Sequence, residues 1–91
     1  MAQVRFTSHL KRFFPNLRNG EPVEGETVAE IVANLNILHP GLGGYLVDER
    51  GALRKHVNIF IGDTRIHDTE RLQDPVSPET VLFIMQALSG G

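Results

Sequence analysis

One segment of this chain is written in the period of a helix, and most of what surrounds it in the period of strands. Residues 27–38 open on Thr27-Val28-Ala29-Glu30, the form of a capping box, in which hydroxyl and carboxylate each reach an orphan backbone N–H. Behind it Val28, Ile31, Val32, Leu35 and Leu38 recur at helical spacing and define one apolar stripe. Pro40 disfavours helical geometry in the residue before it, so the helix stops by His39. The glycines at 41, 43 and 44 then read as a helix stop and a mobile loop. A phosphate cradle would need them to lead into a helix N-terminus, and no Gly-Lys-Ser/Thr follows.

The flanking segments alternate. Residues 3–7 place Val4 and Phe6 on one face of a first strand. Phe13-Phe14-Pro15-Asn16 reads as a loop and Asn19-Gly20 as a turn, because both of the latter tolerate positive φ. Residues 21–26 suit a second strand antiparallel to the first, with Pro22 acceptable at an edge. Residues 53–61 read as a strand with Val57, Ile59 and Ile61 on one face and Asn58 and Phe60 on the other. Gly62-Asp63 turns the chain into a short strand around Ile66. After a loop punctuated by Pro75 and Pro78, residues 81–85 form a nearly continuous apolar run, which argues for a central strand buried on both faces. The order strand, strand, helix, strand, short strand, strand predicts an α+β domain. It is a β-grasp with a mixed sheet of four to five strands crossed by one main helix, spanning residues 1–86 and leaving 87–91 as a flexible tail.

Composition excludes more than it assigns. At 91 residues the chain is one domain, too small for a cleft between two halves. The absence of cysteine excludes a disulfide scaffold, a thiolate metal site and a cysteine nucleophile. A net charge of −2 lacks the footprint of a nucleic-acid binder. No apolar run reaches the roughly 18 residues of a membrane span, so a soluble, cytoplasmic protein, monomeric when free, is expected. The first 20 residues are basic and free of acid, as in a transit peptide, but the strand alternation at Val4 and Phe6 and the breakers Pro15 and Gly20 oppose that reading.

Catalytic chemistry is missing from the sequence. The four histidines His9, His39, His56 and His67 show no metal-ligand spacing and no neighbouring nucleophile. Ser77 and Ser89 lack the glycines of a nucleophile elbow. What remains is the ending Ser89-Gly90-Gly91, about five residues beyond the last strand. A frayed end or a cloning remnant is one reading of it. The other is chemical: without side chains at its last two positions, such a tail threads a narrow channel and leaves its terminal carboxylate open to attack. A bare carboxylate is a poor electrophile. Adenylation makes it a mixed anhydride, which sulfide or a persulfide converts to a thiocarboxylate and a lysine amine converts to an isopeptide.

With these residues in hand, the chain resembles the MoaD/ThiS family of ubiquitin-like sulfur carriers over essentially its whole length. The segment from Val57 to Asp63 looks like the family's Val-Asn-x-x-Val-Asn-Gly/Asp stretch, and the helix matches its Thr-Val-x-x-(Ile/Leu)-(Ile/Leu)-x-x-Leu pattern. The strand at 81–85 and the terminal Gly90-Gly91 complete the likeness. Gln86-Ala87-Leu88-Ser89 replaces the Pro-x-Ala that precedes the diglycine in molybdopterin-synthase subunits. The longer middle, residues 46–54, looks more like carriers serving cysteine or secondary-metabolite biosynthesis.

The resemblance implies that the chain is no enzyme and binds no cofactor. Gly91 would be adenylated by a ubiquitin-activating-type enzyme that consumes ATP, then thiocarboxylated, and would deliver sulfur to a synthase. Ser89 and Gly90 would give reach; Phe60, Leu88, Arg54 and Lys55 would meet the partners. A ubiquitin-like modifier conjugated to lysines and a non-covalent β-grasp binding module remain open as alternatives.

Overall fold

The computed structural model describes residues 1–18 and 20–86. Its last strand, β5 (Val81–Gln86), takes the centre of a five-stranded sheet ordered β2-β1-β5-β3-β4. It runs parallel to β1 (Ala2–Phe6) and antiparallel to β3 (Val57–Ile61). The outer strands are β2 (Glu21–Val23), antiparallel to β1, and the short β4 (Thr64–Arg65), antiparallel to β3. The parallel β1–β5 pair requires a long crossover, and the main helix α2 (Val28–Leu38) lies within it. This is the β-grasp arrangement expected from the sequence, with Pro22 on the edge strand and the apolar run at the centre.

The start of α2 satisfies its backbone donors in two ways. The Thr27 hydroxyl accepts from the Glu30 N–H at 3.2 Å, as the capping box predicts, whereas the Glu30 carboxylate reaches one residue further back, to the Glu26 N–H. The N–H groups of Val28 and Ala29 donate to the carbonyls of Asp74 and Leu72. Three of the first turn's orphan donors are thereby paired, and the loop at 66–76 is fastened to the helix. That loop is itself tied by the buried Asp74 carboxylate, which accepts from the N–H groups of His67 and Asp68.

The core fills the space between one face of the sheet and the helices. Ala2, Val4, Phe6, Val57, Ile59, Leu82 and Ile84 meet Val28, Ile31, Val32 and Leu35 of α2 there. Each of these side chains other than Ala2, once withdrawn from water, stabilises the fold by about 1.5–3 kcal/mol.

Three expectations are corrected. Phe13, read as part of a loop, instead ends a helical turn and a half, α1 (Ser8–Phe13), which carries the fully buried Leu10 into the core. The glycine-rich stretch is not a loop: Gly41, at φ 98°, opens a second short helix, α3 (Leu42–Leu46). Gly43 is buried so close to α2 that a Cβ would stand 2.9 Å from that of Asn36. Even so, no anion cradle results, because Asn36 Oδ1 already accepts from the Gly41 and Gly43 N–H groups. Finally, β3 begins at Val57 rather than residue 53, Leu53 making only an isolated bridge to Val47. Asn19 of the predicted turn and residues 87–91 of the predicted tail lie outside the described residues.

Candidate functional site

Side chains alternate across a strand, so the register sorts the sheet into two faces. One face is the core. On the other, Arg5, Phe83, Phe60 and Arg65 stand in a single cross-strand row: Arg5 pairs with Phe83, Phe83 with Phe60, and Phe60 with Arg65. Met85 and Asn58 form the neighbouring row, and Pro22, Gln3 and Val81 the row on the opposite side.

The described helices pack against the core face instead. Phe60, Phe83 and Val81 are half-buried, while Arg5, Arg65 and Met85 are exposed, Met85 by 42%. The reading of β5 as buried on both faces is therefore corrected: only its core face, with Leu82 and Ile84, is buried. The Arg5 guanidinium lies 5.8 Å from the centroid of the Phe83 ring, within cation–π range. None of the paired positions on this face carries a carboxylate. The result is an apolar centre flanked on both sides by a guanidinium.

The other candidate residues fall elsewhere. Arg54 and Lys55 precede β3 and are exposed. Arg54 turns away from the open face: its Nε donates to the Gly44 carbonyl of α3 at 2.9 Å. With Tyr45, His56, Val57 and Gln86 it borders a cleft of about 290 Å³ at the end of β5, where the described residues end. The structure thus gathers Arg54 to the end of β5. Phe60 lies about 10 Å further along β3, three residues beyond the Val57–Gln86 pair, on the opposite face. Leu88, Ser89, Gly90 and Gly91 lie outside the described residues.

Sequence reasoning missed Phe83, Arg5 and Arg65 as companions of Phe60. The alternation within 81–85 was the available signal, since the even positions alone suffice to face the helices. Tyr45 and Gln86 had no local signal, because their partnership spans 41 residues. Among the described residues no group of three His, Asp or Glu side chains gathers as a metal would require. Among the same residues no helix is long and apolar enough to cross a membrane.

Comparison with known proteins adds what geometry alone does not carry. The family model of the ThiS family matches residues 4–91. The chain belongs to the ThiS family. As a member it is a ubiquitin-like sulfur carrier protein, and its β-grasp fold agrees. The structure of the Amycolatopsis orientalis BexX/CysO complex contains a chain similar to it at 24% identity and TM-score 0.83, with all of both chains covered. Mycobacterium tuberculosis CysO is similar at 19% identity and TM-score 0.83, over 97% of this chain and 100% of that one. Haloferax volcanii SAMP1 matches at 20% identity and TM-score 0.76, covering 99% of this chain and 98% of its own. No curated protein matches at the level of sequence.

Proposed function

We propose that this ThiS-family protein carries sulfur as a thiocarboxylate on Gly91. Its carboxylate oxygen attacks the α-phosphate of ATP in a ubiquitin-activating-type enzyme, pyrophosphate leaves, and an acyl adenylate forms. Hydrosulfide then attacks the acyl carbon and AMP departs, leaving –COS⁻. A persulfide donor gives an acyl disulfide at the same step, and a thiol reduces it to the same product. The thiocarboxylate delivers its sulfur to an accepting synthase in cysteine or secondary-metabolite biosynthesis. In this reading residues 1–86 are the domain that partners grip and 87–91 the tail that enters their active sites. The chain supplies a substrate rather than catalytic groups and binds no cofactor of its own; ATP is consumed by the partner in the cytoplasm.

The observation that carries the reading is the family match extending through Gly91, on a domain whose sheet face is left open. The row Arg5–Phe83–Phe60–Arg65 fits a partner surface with an apolar centre and an acidic rim, and we assign it to the activating enzyme. Arg54 and Lys55, set apart from that row, are left for the accepting enzyme, and Leu88 for whichever channel admits the tail. The similar CysO chain was crystallised in complex with BexX, which supports a carrier that docks on a protein partner.

Exchange of labelled pyrophosphate into ATP by the activating enzyme tests the proposal. The full chain should support exchange, and deletion of Gly91 should abolish it while leaving thermal unfolding unchanged. Exchange that persists without Gly91 overturns it. Conjugation to lysines shares the adenylation step and is favoured by the likeness to a protein named small archaeal modifier protein 1; ladders of conjugates in host extracts distinguish it.

A further inference from the structure

Gln86 occupies an unusual place for an amide. It follows Leu82 and Ile84 at alternate positions of β5, so it sits at the end of the strand's core-facing row, opposite Val57. The two sides of β5 do not end together. Its pairing with β1 stops at Phe6–Ile84, while its pairing with β3 continues to Val57–Gln86. The final two residues of the strand are therefore held by one neighbour only among the described residues, at the point where the tail begins.

A second restraint is present there. The Tyr45 hydroxyl of α3 donates to Gln86 Oε1 at 2.9 Å. Both residues are half-buried, where an unpaired amide is costly. The hydroxyl itself has little freedom. The Tyr45 ring lies 5.5 Å from that of Phe13 and 5.8 Å from that of Phe14, centroid to centroid, the latter edge-on. Its helix is pressed onto α2 at the Gly43–Asn36 contact. Helices α1, α2 and α3 together thus fix the place of one oxygen atom, and that atom fixes the end of β5.

We infer that Tyr45 is a positioning residue for the chemistry at Gly91, acting through Gln86 by setting where and in which direction the tail leaves the sheet. This rests on the carrier reading. Docking through the open face brings the whole domain to the activating enzyme, and the five residues after Gln86 must then place one carboxylate against ATP. A fixed root leaves fewer conformations in which that carboxylate misses its target. Losing the hydroxyl should therefore lower kcat for adenylation and spare KM, the reverse of a defect in docking.

Three full-chain variants test this: Tyr45→Phe, which keeps the ring against Phe13 and Phe14; Gln86→Leu, which removes the acceptor; and Gln86→Glu, which retains one. The readouts are the {¹H}–¹⁵N NOE at the Ala87 and Leu88 amides of the free protein, and pyrophosphate exchange with the ubiquitin-activating-type enzyme of the same genome. Tyr45→Phe and Gln86→Leu should lower both NOEs and reduce kcat about threefold to tenfold, with KM within about twofold. Gln86→Glu should stay near wild type in both. Unaltered NOEs, or an unaltered kcat at saturating carrier, overturn the inference, as does a kcat loss that Gln86→Glu shares in full. If the wild-type chain supports no exchange at all, the carrier reading fails and the positioning role falls with it. The NOEs then still report whether Tyr45 holds the end of β5. Wild-type exchange with NOEs indifferent to Tyr45 leaves the carrier reading standing and removes the positioning role alone.

Discussion

The two faces of β5 are made from neighbouring residues of one strand and do opposite work. Leu82 and Ile84 are sealed against the helices, at 0% and 1% exposure. Phe83 and Met85, one residue along from each, lie on the face away from the helices, half-buried and exposed respectively. Apolar side chains on the first face are explained by folding. On the second they are not, and with Phe60 beside them and arginines at both ends they form the surface proposed above to meet the activating enzyme. Hydrophobicity alone thus says little about role; the parity of the residue number decides it.

The largest effect expected from breaking this comparison is on the inner face. Leu82→Ala should cost about 3 kcal/mol, seen as a lowered urea midpoint, because it leaves a cavity in a closed core. The fraction that remains folded should dock and exchange pyrophosphate normally. Phe60→Ala should do the reverse, weakening binding to the activating enzyme by about tenfold, measured by calorimetry, while the unfolding midpoint moves little. Equal stability losses in the two variants would erase the distinction between the faces. Arg5→Ala, at the rim, should reduce the association rate and its salt dependence by a smaller factor than Phe60→Ala reduces affinity.

The smallest effect sits on the loop at 66–76 that fastens the core to α2. Asp68 accepts from the N–H groups of Glu70, Arg71 and Gln73. These bonds, the one from Arg71 foremost, hold its carboxyl below the ordinary value of 3.8 against a partial desolvation that works the other way. Asp48 is lowered likewise, chiefly by the N–H of Ala52 and then that of Arg50. A carboxyl depressed in the folded state binds fewer protons there than when unfolded. Its stabilisation is therefore complete above the unfolded value and fades as pH falls through the folded one. Asp68→Ala should narrow the gap between urea midpoints at pH 7 and about pH 3, without touching docking at neutral pH.

How much of this was legible in the sequence follows from how local each signal is. The strand order, the capped helix and the central place of β5 are encoded within short windows, by alternation, by a Thr–Glu pair and by turn residues, and they stand as expected. The strand bounds do not, since β2 ends at Val23, β3 begins at Val57 and β4 covers Thr64–Arg65, just before Ile66. Helices α1 and α3 are too short for periodicity to show. In α3, Gly43 and Gly44 weaken any helical propensity, and Gly43 is there for close approach to Asn36 rather than for a turn. The open face was half legible. Phe60 was identified from its alternation, whereas Phe83 was hidden inside a continuous apolar run whose two faces only the tertiary structure separates. The Tyr45–Gln86 bond joins α3 to β5 and could not be read from either segment alone.

In the proposed function, sulfur is carried on the last residue. The most direct test is the intact mass of the full chain isolated from its host, followed by fragmentation to locate any change. A thiocarboxylate carrier should show a population heavier by the exchange of one oxygen for one sulfur, with the added mass confined to Gly91 and converted by a thiol-alkylating agent to the corresponding adduct. A chain whose mass is unchanged under every growth condition, or whose sulfur maps to any residue other than Gly91, would contradict it.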